Sequence, residues 1–171
     1  MTATGKASSD SATNDLKRRI KIERKYKASV KDVWDLWATA KGIESWWGPG
    51  GFTTKVKRMD LRPGGELHYT MSASGADQIA FMKNAGMPLD IDGTVVYTEI
   101  VPHKLIVYTH LADFIPGVKP YDVATTVEFR QEGQVVHMIV TFDAMHSEEW
   151  TQRATMGWEG QLAKLSELFP A

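Results

Sequence analysis

The chain has 171 residues, no cysteine, and a formal net charge of −1 from 20 basic and 21 acidic residues. That length suits one domain able to bury its own core, and the missing thiols rule out disulfides, thiolate metal sites and cysteine nucleophiles while suiting a reducing cytoplasm. The balanced charge gives no field for nucleic acid or an anionic surface, and no apolar run reaches the roughly 20 residues of a membrane span.

The opening stretch, residues 1–16, is rich in Ser, Thr and Ala and lacks an apolar segment. It reads as a disordered tail rather than a secretory signal, with residues 17–171 forming a single domain. Ile20, Ile22 and Tyr26 alternate with charged residues, which predicts a half-buried strand. Ser29 then offers an N-cap to a short helix whose apolar face is Val30, Val33, Trp34 and Trp37. Residues 43–47 add another helical turn, stopped by Gly48 and Pro49. Six strands follow, in residues 52–61, 65–73, 92–101, 104–113, 123–130 and 135–143, each bounded by Gly, Pro or Asp. The Arg62-Pro63-Gly64-Gly65 turn needs no chemistry to explain it, because Pro presets φ and Gly supplies positive φ. Ser147 caps a long final helix with Trp150, Ala154, Trp158, Leu162 (or Gln161), Leu165 and Phe169 on one face.

Strands followed by a helix predict an α+β fold, the helix lying on one face of an antiparallel sheet. A curved sheet and one long helix do not fill the space between them, so a cavity is expected there.

"VWDLWAT" (33–39), "WWGPGGFTT" (46–54), "DLRPGGELHYTM" (60–71), "GTVVYTEIVPHKLIVYT" (93–109) and "GWEGQLAKLSELF" (157–169) occur in an order and spacing that resemble the START-like (SRPBCC, helix-grip) superfamily. Within it, the chain is similar to the homologues of the activator of heat-shock protein 90 ATPase. The resemblance implies a helix-grip fold: a curved antiparallel sheet, two short helices and a long C-terminal helix enclosing a cavity. It implies much less about activity, since one fold hosts many functions. Eukaryotic namesakes act on a chaperone; the resemblance here covers a single domain, so that contact is not the expected function. It also departs from the family's short hairpin after "DLRPGG": residues 72–91 intervene, with 77–86 as a helix and Gly86 as its C-cap.

Against that fold, Trp46 and Trp47 close the open end of the cavity, either as a structural plug or with one indole on the rim against a ligand. The expected ligand-binding set is Trp46, Trp47, Phe52, Tyr69, Met71, Phe81, Tyr108, His110, Phe129, Trp158 and Leu162. Leu67, Ile106, Val127, Val140, Phe142 and Leu165 complete the apolar lining, and a filled core is the competing outcome. Strand alternation puts His68 outside and gives Ile106, Tyr108 and His110 a common face. His68, His110 and His137 do not share a face, so no metal site is expected. No nucleophile elbow, phosphate loop or dinucleotide fingerprint is present, and no cofactor is implied. Tyr108 and His110 are the pair with any catalytic promise; Glu66, Asp113 and Glu128 would need to line the cavity to act. The expected function is binding of a small apolar or aromatic molecule. The alternatives are a cyclase- or hydrolase-like enzyme in the same cavity and a chaperone-cofactor or protein-interaction domain. The 74–90 insertion is expected to be a flap over the mouth with Phe81 or Met82 near Trp46 or Trp47; a homodimer interface is its other use.

Overall fold

The computed structural model describes residues 18–113 and 115–169; the expected N-terminal tail falls outside them. The elements are β1 (Arg19–Lys27), α1 (Val30–Ala38), α2 (Ala40–Trp46), β2 (Phe52–Met59), β3 (Glu66–Ala73), α3 (Ala76–Asn84), β4 (Asp90–Val101), β5 (Leu105–Ala112), β6 (Tyr121–Glu132), β7 (Val135–Asp143) and α4 (Glu148–Ser166). The seven strands make one antiparallel sheet in the order β1-β7-β6-β5-β4-β3-β2. Neighbours in sequence are neighbours in space from β2 to β7, and β1 closes on β7.

Register aligns the core. Ile22 pairs with Val140, Val140 with Val127 and Val127 with Ile106, so one buried row crosses four strands. A second row runs Leu67, Val95, His110, Val123, placing the imidazole among three apolar neighbours. Helix α4 lies across the concave face, where Leu162 and Leu165 are fully buried against that core.

Local chemistry sets the helix ends. Ser29 accepts a hydrogen bond from the Asp32 amide and Ser147 one from the Trp150 amide, so both expected N-caps form. Thr39 separates α1 from α2: its hydroxyl donates to the Asp35 carbonyl and accepts from the Gly42 amide. Helix α2 thus begins three residues earlier than periodicity alone suggests. Gly48 follows with φ of 96°, a conformation other residues adopt only with strain, and turns the chain into β2.

The insertion forms α3. Its first residues are tied to the Gly51 carbonyl, which accepts from the Ser74 and Gly75 amides. Phe81 is 67% exposed, whereas Met82 is 4% exposed. Adjacent helical residues point about 100° apart, so only one of the two can turn inward. Of the two side chains expected to point inward, Met82 is the one that buries and Phe81 the one that faces solvent, and none of residues 74–90 lines the cavity described next.

Candidate functional site

A cavity of about 280 Å³ lies between α4 and strands β3 to β7. Its existence follows from side-chain size on α4. Ala154, Gly157, Trp158 and Gln161 occupy one face at helical spacing and all line it. Ala154 and Gly157 are too small to reach the sheet, and a Cβ added at Gly157 would meet nothing within 4 Å. The opposite wall comes from β3, β4 and β5 (Met71, Val95, Tyr108), with Val123 and Phe142 beyond.

The two adjacent tryptophans divide their work. Trp46 is fully buried, donates its indole N–H to the Leu36 carbonyl at 2.8 Å, and packs 4.6 Å from Trp37 between ring centroids. It is core. Trp47 lines the cavity, edge-on to Tyr69 at 5.8 Å and tilted against Tyr108 at 6.2 Å. The loop after it is pinned to α4 on both sides of Gly48. The Gly48 amide donates to Gln161 Oε1 at 3.3 Å, and Lys164 Nζ donates to the carbonyls of Gly48 and Phe52 at 3.2 and 3.3 Å.

Polar groups are few and uncharged. Tyr69, Tyr108, His110 and Gln161 reach the cavity, and among the described residues no carboxylate lines it. Burial raises the phenol pKa of both tyrosines; a hydrogen bond from the Trp47 side chain opposes the rise at Tyr69. Thr125, directly across the ladder from Tyr108, tempers that hydroxyl, although its own Oγ1 is buried without a hydrogen bond of good geometry. Burial among the apolar row lowers the His110 pKa, with the Asp122 carboxylate pulling weakly upward. Both hydroxyls are therefore protonated and the imidazole is neutral near neutral pH.

Of the residues expected from sequence, Trp47, Tyr69, Met71, Tyr108, His110 and Trp158 come together in this cavity, with Phe142 from the wider lining. Five others do not. Trp46 and Leu162 are fully buried in the core, and Phe129 packs edge-on to Trp34 at 5.4 Å, toward the other end of the sheet. Phe52 sits at the start of β2 outside the cavity, and Phe81 faces solvent. Leu67 and Ile106 line a separate void of about 10 Å³ behind Trp47 and Tyr108, while Val127, Val140 and Leu165 are buried core. Val95, Val123, Ala154, Gly157 and Gln161 were not anticipated. Alternation along β4 and β6 and the helical spacing of α4 carried that information.

The candidate acids lie elsewhere. Glu66 meets His68 at 2.7 Å outside the sheet, Glu128 pairs with Arg130 at 3.2 Å, and Asp113 is exposed. His137 stands between Glu23 and Glu132 at 3.5 and 3.4 Å, and His146 bonds Tyr121 at 2.9 Å. Among the described residues no three His, Asp or Glu side chains gather as a metal site would require. A larger hollow of about 670 Å³ opens at the far end of the sheet, but it is a shallow cleft rimmed by Lys104, Glu128 and Arg130.

The fold has many relatives of known structure. A protein from Chromobacterium violaceum is 22% identical with a TM-score of 0.71, covering 90% of this chain and 98% of its own. An AHSA1-like protein from Aeromonas hydrophila is 22% identical with a TM-score of 0.68, covering 88% and 90%. A protein from Arthrobacter aurescens is 24% identical with a TM-score of 0.65, covering 87% and 81%. These likenesses bear on the fold alone. No curated protein matches the chain. The family model for Activator of Hsp90 ATPase homolog 1-like protein matches residues 27–170, and with this helix-grip architecture the chain belongs to that family, within the START-like superfamily.

Proposed function

We propose that the protein binds a small apolar or aromatic molecule in the cavity between the sheet and α4. The observation that carries this is the cavity itself: about 280 Å³, walled by Met71, Val95, Phe142 and Trp158, with only neutral polar groups. An apolar guest there replaces empty contacts, and two indoles offer flat faces to an aromatic ring. The experiment is a titration of the purified protein with the neutral fluorophore N-phenyl-1-naphthylamine, alongside native mass spectrometry for a co-purified molecule. Saturable enhancement in the wild type and its loss in Ala154→Trp, which fills the cavity from α4, is the expected result. Equal enhancement in both would place the probe elsewhere.

One observation favours a second reading, an enzyme using the same cavity. Neutral His110 and the Tyr108 hydroxyl stand two residues apart on one strand face, as a base and a proton donor would. That reading requires turnover of a bound molecule that His110→Phe abolishes while binding persists.

A further inference from the structure

Glycine at position 93 is the fourth residue of a twelve-residue strand, inside it, where glycine costs strand stability. Its backbone does not call for glycine, because Gly93 is absent from the residues of positive φ. The reason is Tyr69. The two residues are paired across the β3–β4 ladder. The phenol ring lies so low on the sheet that a Cβ at position 93 would stand 2.3 Å from Tyr69 Cζ and 2.5 Å from its oxygen. Any side chain there lifts the ring into the cavity.

Two of the cavity's polar groups are placed to donate. Gln161 accepts the Gly48 amide on Oε1, which leaves its NH₂ group able to donate. Tyr69 lines the cavity edge-on to Trp47, and burial keeps its phenol protonated, so the hydroxyl has a proton to give. Among the described residues no carboxylate lines the cavity to pair with an ammonium group.

Building on the binding function above, we propose that Gly93 is a positioning residue that seats Tyr69 flat on β4, and that the seated hydroxyl donates to an acceptor oxygen on a flat, uncharged apolar ligand. Gly93 acts through Tyr69; Tyr69 touches the ligand.

The test uses a matched pair of probes, 2-acetylnaphthalene and 2-ethylnaphthalene, which differ by a carbonyl oxygen at similar shape. Their affinities are read by quenching of tryptophan fluorescence in the wild type, Tyr69→Phe and Gly93→Ala. The acetyl-over-ethyl affinity ratio is expected to fall about five- to tenfold in both variants, the effect of one neutral hydrogen bond. A ratio unchanged in Tyr69→Phe overturns the anchor while leaving cavity binding intact. A ratio lost in Tyr69→Phe but kept in Gly93→Ala overturns the role of Gly93. Failure of the wild type to bind either probe overturns the binding function together with this proposal. Should Gly93→Ala not fold, the Gly93 Hα resonances of the wild type decide its part. Ring current from the overlying phenol shifts them upfield, and Tyr69→Leu releases them. Unshifted Hα resonances in the wild type would show that the ring does not rest on Gly93.

Discussion

Replacing Trp158 by alanine tests whether α4 grips the sheet across a cavity or across a packed core. The indole is largely buried, stacked 6.0 Å from Phe142 and 6.3 Å from Trp37, with another part of its surface on the cavity. A large aromatic buries about 150–250 Å², and Trp158 hides about two-thirds of that or more, so at least roughly 100 Å² leaves water, or about 2.5 kcal/mol at about 25 cal/mol per Å². The two stacked contacts raise the expected loss to about 3 kcal/mol, the low end for Trp→Ala, because the deletion enlarges an existing space rather than opening a new one. Equilibrium urea unfolding followed by circular dichroism measures it. With a slope of about 2 kcal/mol/M, the midpoint falls by about 1.5 M. A loss under about 1 kcal/mol would mean that this face of α4 does not hold the sheet. A loss above about 5 kcal/mol would mean that the indole is fully enclosed and no cavity adjoins it.

Gly157→Ala should stabilise the protein by about 0.5–1 kcal/mol, since the new methyl meets nothing and glycine is a poor helix residue. Thermal unfolding would read this as a rise of about 2 °C. His110 has a folded pKa below its ordinary 6.5, so the unfolded chain takes up the proton first. The stability it secures above 6.5 is therefore lost as pH falls through the window below that value, and the urea midpoint of His110→Phe should decline less than wild type between about pH 7.5 and about pH 5.5. On α3, Met82→Ala should cost about 2 kcal/mol and Phe81→Ser less than about 0.5, by the same urea assay. The reverse order would mean that Phe81 is the anchoring side chain.

The fold was legible because its signals are local. Alternation in β1 to β7, Ser29 and Ser147 as caps, and the small residues around Trp46 each act within a few positions. The site was legible only where alternation decided it: Tyr69 and Met71 inward, His68 outward, Tyr108 and His110 on a common face. It failed where a side chain's destination depends on distant partners. Trp46 and Trp47 are identical and adjacent, yet the Leu36 carbonyl claims one indole and Tyr69 approaches the other. Phe129 obeys the inward rule along β6, but it faces Trp34 beyond the cavity's end. Alternation chooses a face of the sheet and is silent on position along it. On α3 the helical pattern has a weak apolar face, so it did not say which of Phe81 and Met82 would turn inward. Gly157 carries no signal in helical periodicity; its role as empty space is visible only opposite the sheet.

The pairing of β1 with β7 sets a schedule for the chain as it is made. Ile22 finds Val140 118 positions later, whereas β2 to β7 each meet a partner next in line. At about 5–20 residues per second, β1 leaves the ribosome some 6–24 s before the strand that covers it. During that interval Ile20, Ile22 and Tyr26 have no sheet to join, and the alternate charged residues Lys21, Glu23 and Lys25 keep the waiting strand from pairing with other nascent chains. The β2–β6 meander can assemble meanwhile, leaving β6 as a temporary edge until β7 adds to it. Completion of the sheet is thus a late, long-range event, and a ribosome stalled before residue 135 would present a meander with its first strand still unpaired.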